Sequence, residues 1–218
     1  MIKAVVVDLG GVLFSEGKSV ALESLATRHR YDPKIVGAIL SSPKSILLRK
    51  GLLSDTDFWG WAQQQLPTGY DSRIIQQEWY DGYILDAEVY ELIARVRKKY
   101  LILAFSGNIR SRVDFLEQKY PFRHLFDIEI YSFDLHMTKP EREFVEVMIE
   151  KSGVRPQEIL YIDDNDAYAK PARELGINVI IYRRGEAVQL RQDLRHYGLT
   201  FLSMHVADNQ FDKLSAGD

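Results

Sequence analysis

The sequence predicts an α/β fold: a doubly wound, parallel, five-stranded sheet carrying an inserted helical cap subdomain. Three observations predict it. Five short, predominantly apolar runs rich in Val, Ile and Leu look like buried strands, only the third, at 128–131, carrying a charge, Glu129. Helical patterns separate the later runs, and such crossovers return the chain parallel to the strand before it. Roughly 90 residues part the first run from the second, far more than one crossover helix needs.

The first strand is expected at residues 4–7, where Ala4 and three valines run straight into Asp8. Helical patterns follow at 20–29, 33–40, 54–66 and 72–80, before the crossover helix at 87–98. Ser54 and Asp57 resemble an N-cap box, with Asp a shorter partner than Glu or Gln. Trp59, Trp61 and Trp79 all fall in this insert, and at helical spacing they read as its core. The second strand is expected at 101–105, followed by a helix at 109–119 with Val113 and Leu116 on one side. The third lies at 128–131, and the helix at 141–151 places Phe144, Val147 and Met148 at i, i+3 and i+4. The fourth is at 159–162; after it Ala169, Ala172 and Leu175 repeat until Gly176, a natural C′ residue. The fifth is at 179–182. The expected division is a core of 1–14 and 86–204, a helical cap of 15–85, and a polar tail of 205–218.

With 218 residues, 46% of them hydrophobic, the chain can fill a sizeable core. Its 28 basic and 31 acidic residues give a net charge of −3, and no basic run carries interleaved aromatics. Nucleic acid is therefore not an expected partner. The absence of cysteine excludes disulfides and thiolate metal sites. Asp8 interrupts the apolar N-terminus too early for a secretory signal, and no stretch approaches the ~18 apolar residues of a membrane span. A cytoplasmic protein with no membrane partner is expected.

Ligands of open α/β sheets bind at the carboxyl ends of the strands, so the polar residues there mark the candidate site. Asp8 ends the first strand and Ser106-Gly107-Asn108 the second. Thr138-Lys139-Pro140 lies in the loop after the third, and Asp163-Asp164-Asn165-Asp166 ends the fourth. One edge then gathers carboxylates, a hydroxyl, an ammonium and amides. Such a cluster is costly unless a cation and an anionic substrate balance it. Asp166, His136 and the Arg49-Lys50 pair read as solvent-facing.

The order strand–"DLGGVL", "LILAFSGN", "TKP", "ILYIDDND…ARELGI" resembles the haloacid dehalogenase superfamily of hydrolases, across residues 2 to about 182 of its Rossmann-like core. The resemblance implies that Asp8 is a nucleophile forming an aspartyl phosphate. Gly10 and Gly11 would turn their amides to the phosphate. Ser106 would bond a phosphoryl oxygen beside Gly107 and Asn108, although the family often has Asn directly after this serine. Lys139 would bridge Asp8 and the phosphoryl group. Mg²⁺ would be held by Asp8, the Gly10 carbonyl, Asp163 and Asp164, with Asp164 the direct ligand and Asp163 supporting.

Phosphatases of this superfamily usually carry a second aspartate where this chain has Gly10, to protonate the leaving oxygen. Three readings follow. The first is a Mg²⁺-dependent phosphomonoester hydrolase acting on a small phosphorylated metabolite such as a sugar phosphate. The α-D-glucose-1-phosphatase-like branch shares the D-x-G pattern and resembles the "RKGLLSDTDFW" stretch. There, a water, a cap group or an undemanding leaving group would make the acid dispensable. The second is a 2-haloacid dehalogenase, whose halide leaves unprotonated and without Mg²⁺. The third is a binding module that has lost catalysis. Paired Asp163 and Asp164 favour the first, because without a cation they would repel Asp8. A small phosphorylated substrate is the expected partner, and the chain is expected as a monomer or homodimer.

Overall fold

The computed structural model describes residues 1–201. Strand β1 (Ala4–Val7) is followed by helices α1 (Gly17–His29), α2 (Pro33–Leu40), α3 (Pro43–Arg49), α4 (Asp55–Gln65), α5 (Ser72–Asp81) and α6 (Ala87–Val96). Then come β2 (Leu101–Ser106), α7 (Arg110–Lys119), β3 (Ile128–Tyr131), α8 (Ser132–Leu135) and α9 (Arg142–Ser152). The last elements are β4 (Ile159–Asp163), α10 (Asp166–Glu174), β5 (Asn178–Ile181) and α11 (Ala187–His196). The expected polar tail lies outside the described residues, and among those described no helix is long and apolar enough to cross a membrane.

All strands run parallel in the order β3-β2-β1-β4-β5. Side chains alternate across the sheet, and both faces are buried. Val5, Val7, Ile102 and Leu160 face one way, into a core shared with α6, α7, α11 and the inserted helices. Ala4, Val6, Phe105 and Tyr161 face the other way, onto Phe144, Val145 and Met148 of α9 and Ala169 and Ala172 of α10. The apolar stripe of α9 thus runs through Val145, with Val147 only partly buried.

Helices α1–α5 form the insert. Their caps are written in the sequence: Glu16 accepts from Ser19 N, Asp32 from Lys34 N, Ser54 from Asp57 N and Asp71 from Arg73 N. Asp57 answers Ser54 through the serine hydroxyl (2.6 Å), being too short for a full capping box. The α3 helix was not expected, although Ser42 capping ahead of Pro43 is a regular helix start. Trp59 and Trp79 meet edge to face at 6.2 Å inside the insert. The chain enters and leaves this insert side by side. Ser15 Oγ donates to Gly82 O (2.5 Å) and accepts from Ile84 N (2.8 Å), while Asp86 N donates to Leu13 O (2.8 Å). A β-carbon on Gly82 would lie 2.4 Å from the Gly17 carbonyl, so only glycine lets the two segments approach so closely.

Candidate active site

The sheet grows outward from β1 through β2 to β3, then resumes on the other side of β1 with β4 and β5. The crevice between β1 and β4 is therefore the topological switch point, where open α/β sheets bind ligands. Val7 pairs with Ile162, and Asp8 N donates to Ile162 O (3.0 Å), so the ladder runs one residue past β1 and brings Asp8 beside Asp163.

Lys139, supplied by the loop before α9, lies between these carboxylates. Its ammonium is 2.8 Å from Asp8 Oδ2 and 2.7 Å from Asp163 Oδ2. All three side chains are buried. Burial works against the Lys139 charge, yet Asp163 and Asp8 outweigh it and raise its pKa. Burial lifts the Asp8 carboxyl to about 7, Lys139 opposing and Asp163 adding to the rise. Asp164 is lifted to about 6 by burial and by Asp163.

Asp163 and Asp164 differ in what they have left to offer. Asp163 Oδ2 accepts from Lys139 and from the Tyr161 hydroxyl, and its Oδ1 accepts from Asn165 N (2.8 Å). Asp164 receives no side-chain donor among the described residues, and its carboxylate lies over Gly11. A β-carbon there would stand 2.0 Å from Asp164 Oδ2, and φ of +82° makes the position left-handed as well. Oxygens of Asp8, Asp163 and Asp164 all lie within 4.8 Å of one another. An all-carboxylate donor set fits a hard divalent cation such as Mg²⁺, which would offset both the burial and the neighbouring carboxylate charge that raise the pKa of Asp8 and Asp164.

The second strand contributes Ser106 and Asn108, both buried. Asn108 Nδ2 lies 3.5 Å from Ser106 Oγ, while Asn108 Oδ1 accepts from Ile109 N (2.9 Å) and from Arg112 Nε (2.8 Å). Gly107 leaves room for Thr138, whose Oγ1 would be 2.7 Å from a β-carbon at that position. These groups border one cavity of about 460 Å³, which Asp8, Gly10, Ser106, Lys139 and Asp164 line from the sheet.

Trp79, Tyr83, Arg49 and Arg112 line the same cavity. Tyr83 and Arg112 carry no motif signal, whereas Arg49 opens the "RKGLLSDTDFW" stretch. Arg112 is fully buried on α7, its guanidinium 4.6 Å from the Trp79 ring and 4.4 Å from the Tyr83 ring. Its i, i+4 spacing from Asn108 was the one legible hint. The ring of Tyr83 covers Gly10, its Cε1 being 3.2 Å from where a β-carbon would stand. Burial raises the Tyr83 hydroxyl pKa, against the pull of Arg112 and Arg49.

Arg49 and Lys50 are not the solvated pair the sequence suggested. Arg49 closes α3, is half-buried and lies 6.0 Å from the Trp79 ring. Lys50 pairs with Glu141 at 2.8 Å, fastening the insert to the start of α9. His136 is exposed as expected, its Nδ1 2.7 Å from Lys50 O. Asp166 is also exposed and pairs with Arg173 at 2.7 Å.

A family model for haloacid dehalogenase-like hydrolases matches residues 2–176. An uncharacterised protein of Dictyostelium discoideum is 38% identical over 218 residues, spanning 86% of this chain and 94% of its own. Among solved structures, a HAD family enzyme of Bacteroides thetaiotaomicron in complex with magnesium and inorganic phosphate superposes with a TM-score of 0.70. It is 22% identical, covering 85% of this chain and 96% of its own. The L-2-haloacid dehalogenase of Xanthobacter autotrophicus gives 0.62 at 20% identity, covering 88% and 83%. At these identities the two structures show a common fold.

Proposed function

The chain belongs to the haloacid dehalogenase-like hydrolases, and on that premise we propose that it is a Mg²⁺-dependent phosphomonoester hydrolase working through an aspartyl phosphate on Asp8. The observation carrying this reading is the division of labour at the β1–β4 crevice. Lys139 is shared between Asp8 and Asp163, while Asp164, without a side-chain donor among the described residues, is free to hold a cation.

In this reading Asp8, Asp164 and the Gly10 carbonyl hold Mg²⁺, and Asp163, already engaged by Lys139, Tyr161 and Asn165, supports them. The ion supplies charge that offsets the substrate phosphate and the attacking carboxylate. One Asp8 oxygen attacks phosphorus in line as the ester oxygen departs. Lys139 and Ser106 hydrogen-bond the phosphoryl oxygens as their charge redistributes. Water then cleaves the acyl phosphate and restores Asp8. The inserted helices act as a cap that keeps bulk water from the cavity. Tyr83 fills the space over Gly10, so the leaving oxygen takes its proton from water or departs with little protonation. Esters with good leaving groups, anomeric sugar phosphates among them, suit such a site, in keeping with the resemblance to the α-D-glucose-1-phosphatase-like branch.

The test is phosphate release from a panel of esters, with and without Mg²⁺, alongside Asp8→Asn. Expected is metal-dependent release that the variant loses by at least a thousandfold. Equal turnover by wild type and variant, or chloride release from 2-chloropropionate without metal, would end this reading.

A further inference from the structure

The cavity that holds Asp8 has a second charged wall that the hydrolytic chemistry leaves unused. Arg112 is 1% exposed, yet its one hydrogen bond among the described residues is the donation from Nε to Asn108 Oδ1. Its Nη1 is buried without an acceptor, as are Arg49 Nε and Trp79 Nε1 beside it. Neither arginine makes an ion pair among the described residues, although each lies near the Trp79 ring. Glu16, an acid that lines the same cavity, uses its Oε2 to cap α1, accepting from Ser19 N (2.8 Å) and Ser19 Oγ (2.5 Å), and makes no ion pair with either arginine among the described residues.

Buried guanidinium groups are ordinarily given carboxylate or carbonyl acceptors, because an unmade charged hydrogen bond in a dry site is costly. A merely structural arginine would have them here too. Instead Asn108, Trp79 and Tyr83 hold the Arg112 fork in place while its buried Nη1 has no acceptor among the described residues. A rigid fork with free parallel donors is complementary to a planar or tetrahedral oxyanion.

We infer that Arg112, with Arg49 and Trp79 Nε1, forms a second anion subsite, so that the favoured substrates are phosphomonoesters whose leaving group carries a carboxylate or a second phosphate. This rests on the phosphomonoesterase reading and narrows its substrate class. It also gives the insert a chemical role, because two of the three donors come from inserted helices and the third from α7 of the core.

The decisive comparison is of nonhydrolysable ligands, titrated calorimetrically in the presence of Mg²⁺. 3-Phosphonopropanoate and its carboxamide differ only in the second anion, and propane-1,3-bisphosphonate asks whether that anion is a phosphate. Wild-type protein should bind the acid or the bisphosphonate about tenfold to a hundredfold more tightly than the amide, the range of a charge-assisted hydrogen bond. Whichever of the two binds more tightly identifies the natural anion. Arg112→Gln should erase the preference, and Arg112→Lys should keep part of it. Equal binding of acid and amide by wild type, or a preference that Arg112→Gln retains, overturns the inference. The wild-type comparison decides the matter even if the variant does not fold. A binding preference without hydrolysis of any ester would sink the phosphatase reading and leave the subsite standing. Hydrolysis that favours uncharged leaving groups would do the reverse.

Discussion

Replacing Lys139 with Met keeps the length of the side chain and removes the charge that joins Asp8 to Asp163. At 2.8 and 2.7 Å, each contact carries roughly 6 kcal/mol of attraction at an effective dielectric of about 20. Dehydrating three buried charges offsets most of this. What the variant loses is a shared partner, and stripping one member from a buried ion pair costs about 3–5 kcal/mol. For a chain of this size that lowers Tm by about 6–20 °C. The pH dependence has a definite sign. The Lys139 pKa is raised, so the ammonium stays charged throughout pH 5–8 and its contribution is lost only in strongly alkaline solution. Asp8 and Asp164, lifted from 3.8 to about 7 and about 6, bind protons more tightly folded than unfolded. Metal-free protein therefore loses stability as pH rises from about 4 to about 7. Without Lys139 to oppose the carboxylates, that loss steepens. Thermal unfolding in EDTA should show a larger deficit for Lys139→Met at pH 8 than at pH 5, with Mg²⁺ recovering part of it. A variant as stable as wild type at pH 8, or one hurt more at pH 5, would refute the shared-ammonium account.

Gly10→Asp should not raise turnover, because Tyr83 Cε1 lies 3.2 Å from the new β-carbon and occupies the place of the carboxylate. A tenfold gain in steady-state phosphate release would show that the ring yields and that a missing acid limits the rate. Gly11→Ala sets a β-carbon 2.0 Å from Asp164 Oδ2 at a φ of +82°. Mg²⁺ affinity by calorimetry should fall at least tenfold, against a stability loss of only about 1–2 kcal/mol for the left-handed alanine. Unchanged Mg²⁺ affinity would remove Asp164 from the cation site.

The two strand ends at the switch point were legible because each couples an unbroken apolar run to an abrupt polar stop. Val7-Asp8 and Ile162-Asp163 are such junctions, and parallel pairing at the switch point aligns them whatever lies between. Lys139 was legible only through a motif, since no periodicity says which lysine of a loop folds back under two carboxylates. Arg112 was not legible beyond its i, i+4 spacing from Asn108. On a helical wheel it reads as one more surface charge, and only packing across α7 by Trp79 and Tyr83, about 30 residues upstream, buries it. Arg49 was misread because α3 went unrecognised, and with it the turn that carries Arg49 inward. α8 was also missed, being only four residues long. Long-range packing, unlike strand ends, leaves no local signature.

The insert also explains why one cavity can tolerate two unbalanced charge groups. Asp8 and Asp164 repel each other on the sheet side; Arg49 and Arg112, paired with no carboxylate among the described residues, stand on the other. Moving either arginine next to Asp8 would form an internal salt bridge and relieve both strains, yet the fold prevents it. Asn108 holds Arg112 from behind, and Leu40 O with Ser45 Oγ hold Arg49 at 3.2 and 3.3 Å. A site that neutralised itself would have to break those bonds to admit a ligand, and the lost energy would come out of binding. Keeping the charges apart leaves the neutralisation to a cation at one end and an oxyanion at the other. Removing the restraint should therefore weaken ligand binding, at a stability cost of about 1–3 kcal/mol for the buried Ile109 and Arg112 donors that lose their acceptor: Asn108→Ala frees Arg112, and a collapsed guanidinium–carboxylate pair is the structural outcome that this argument requires.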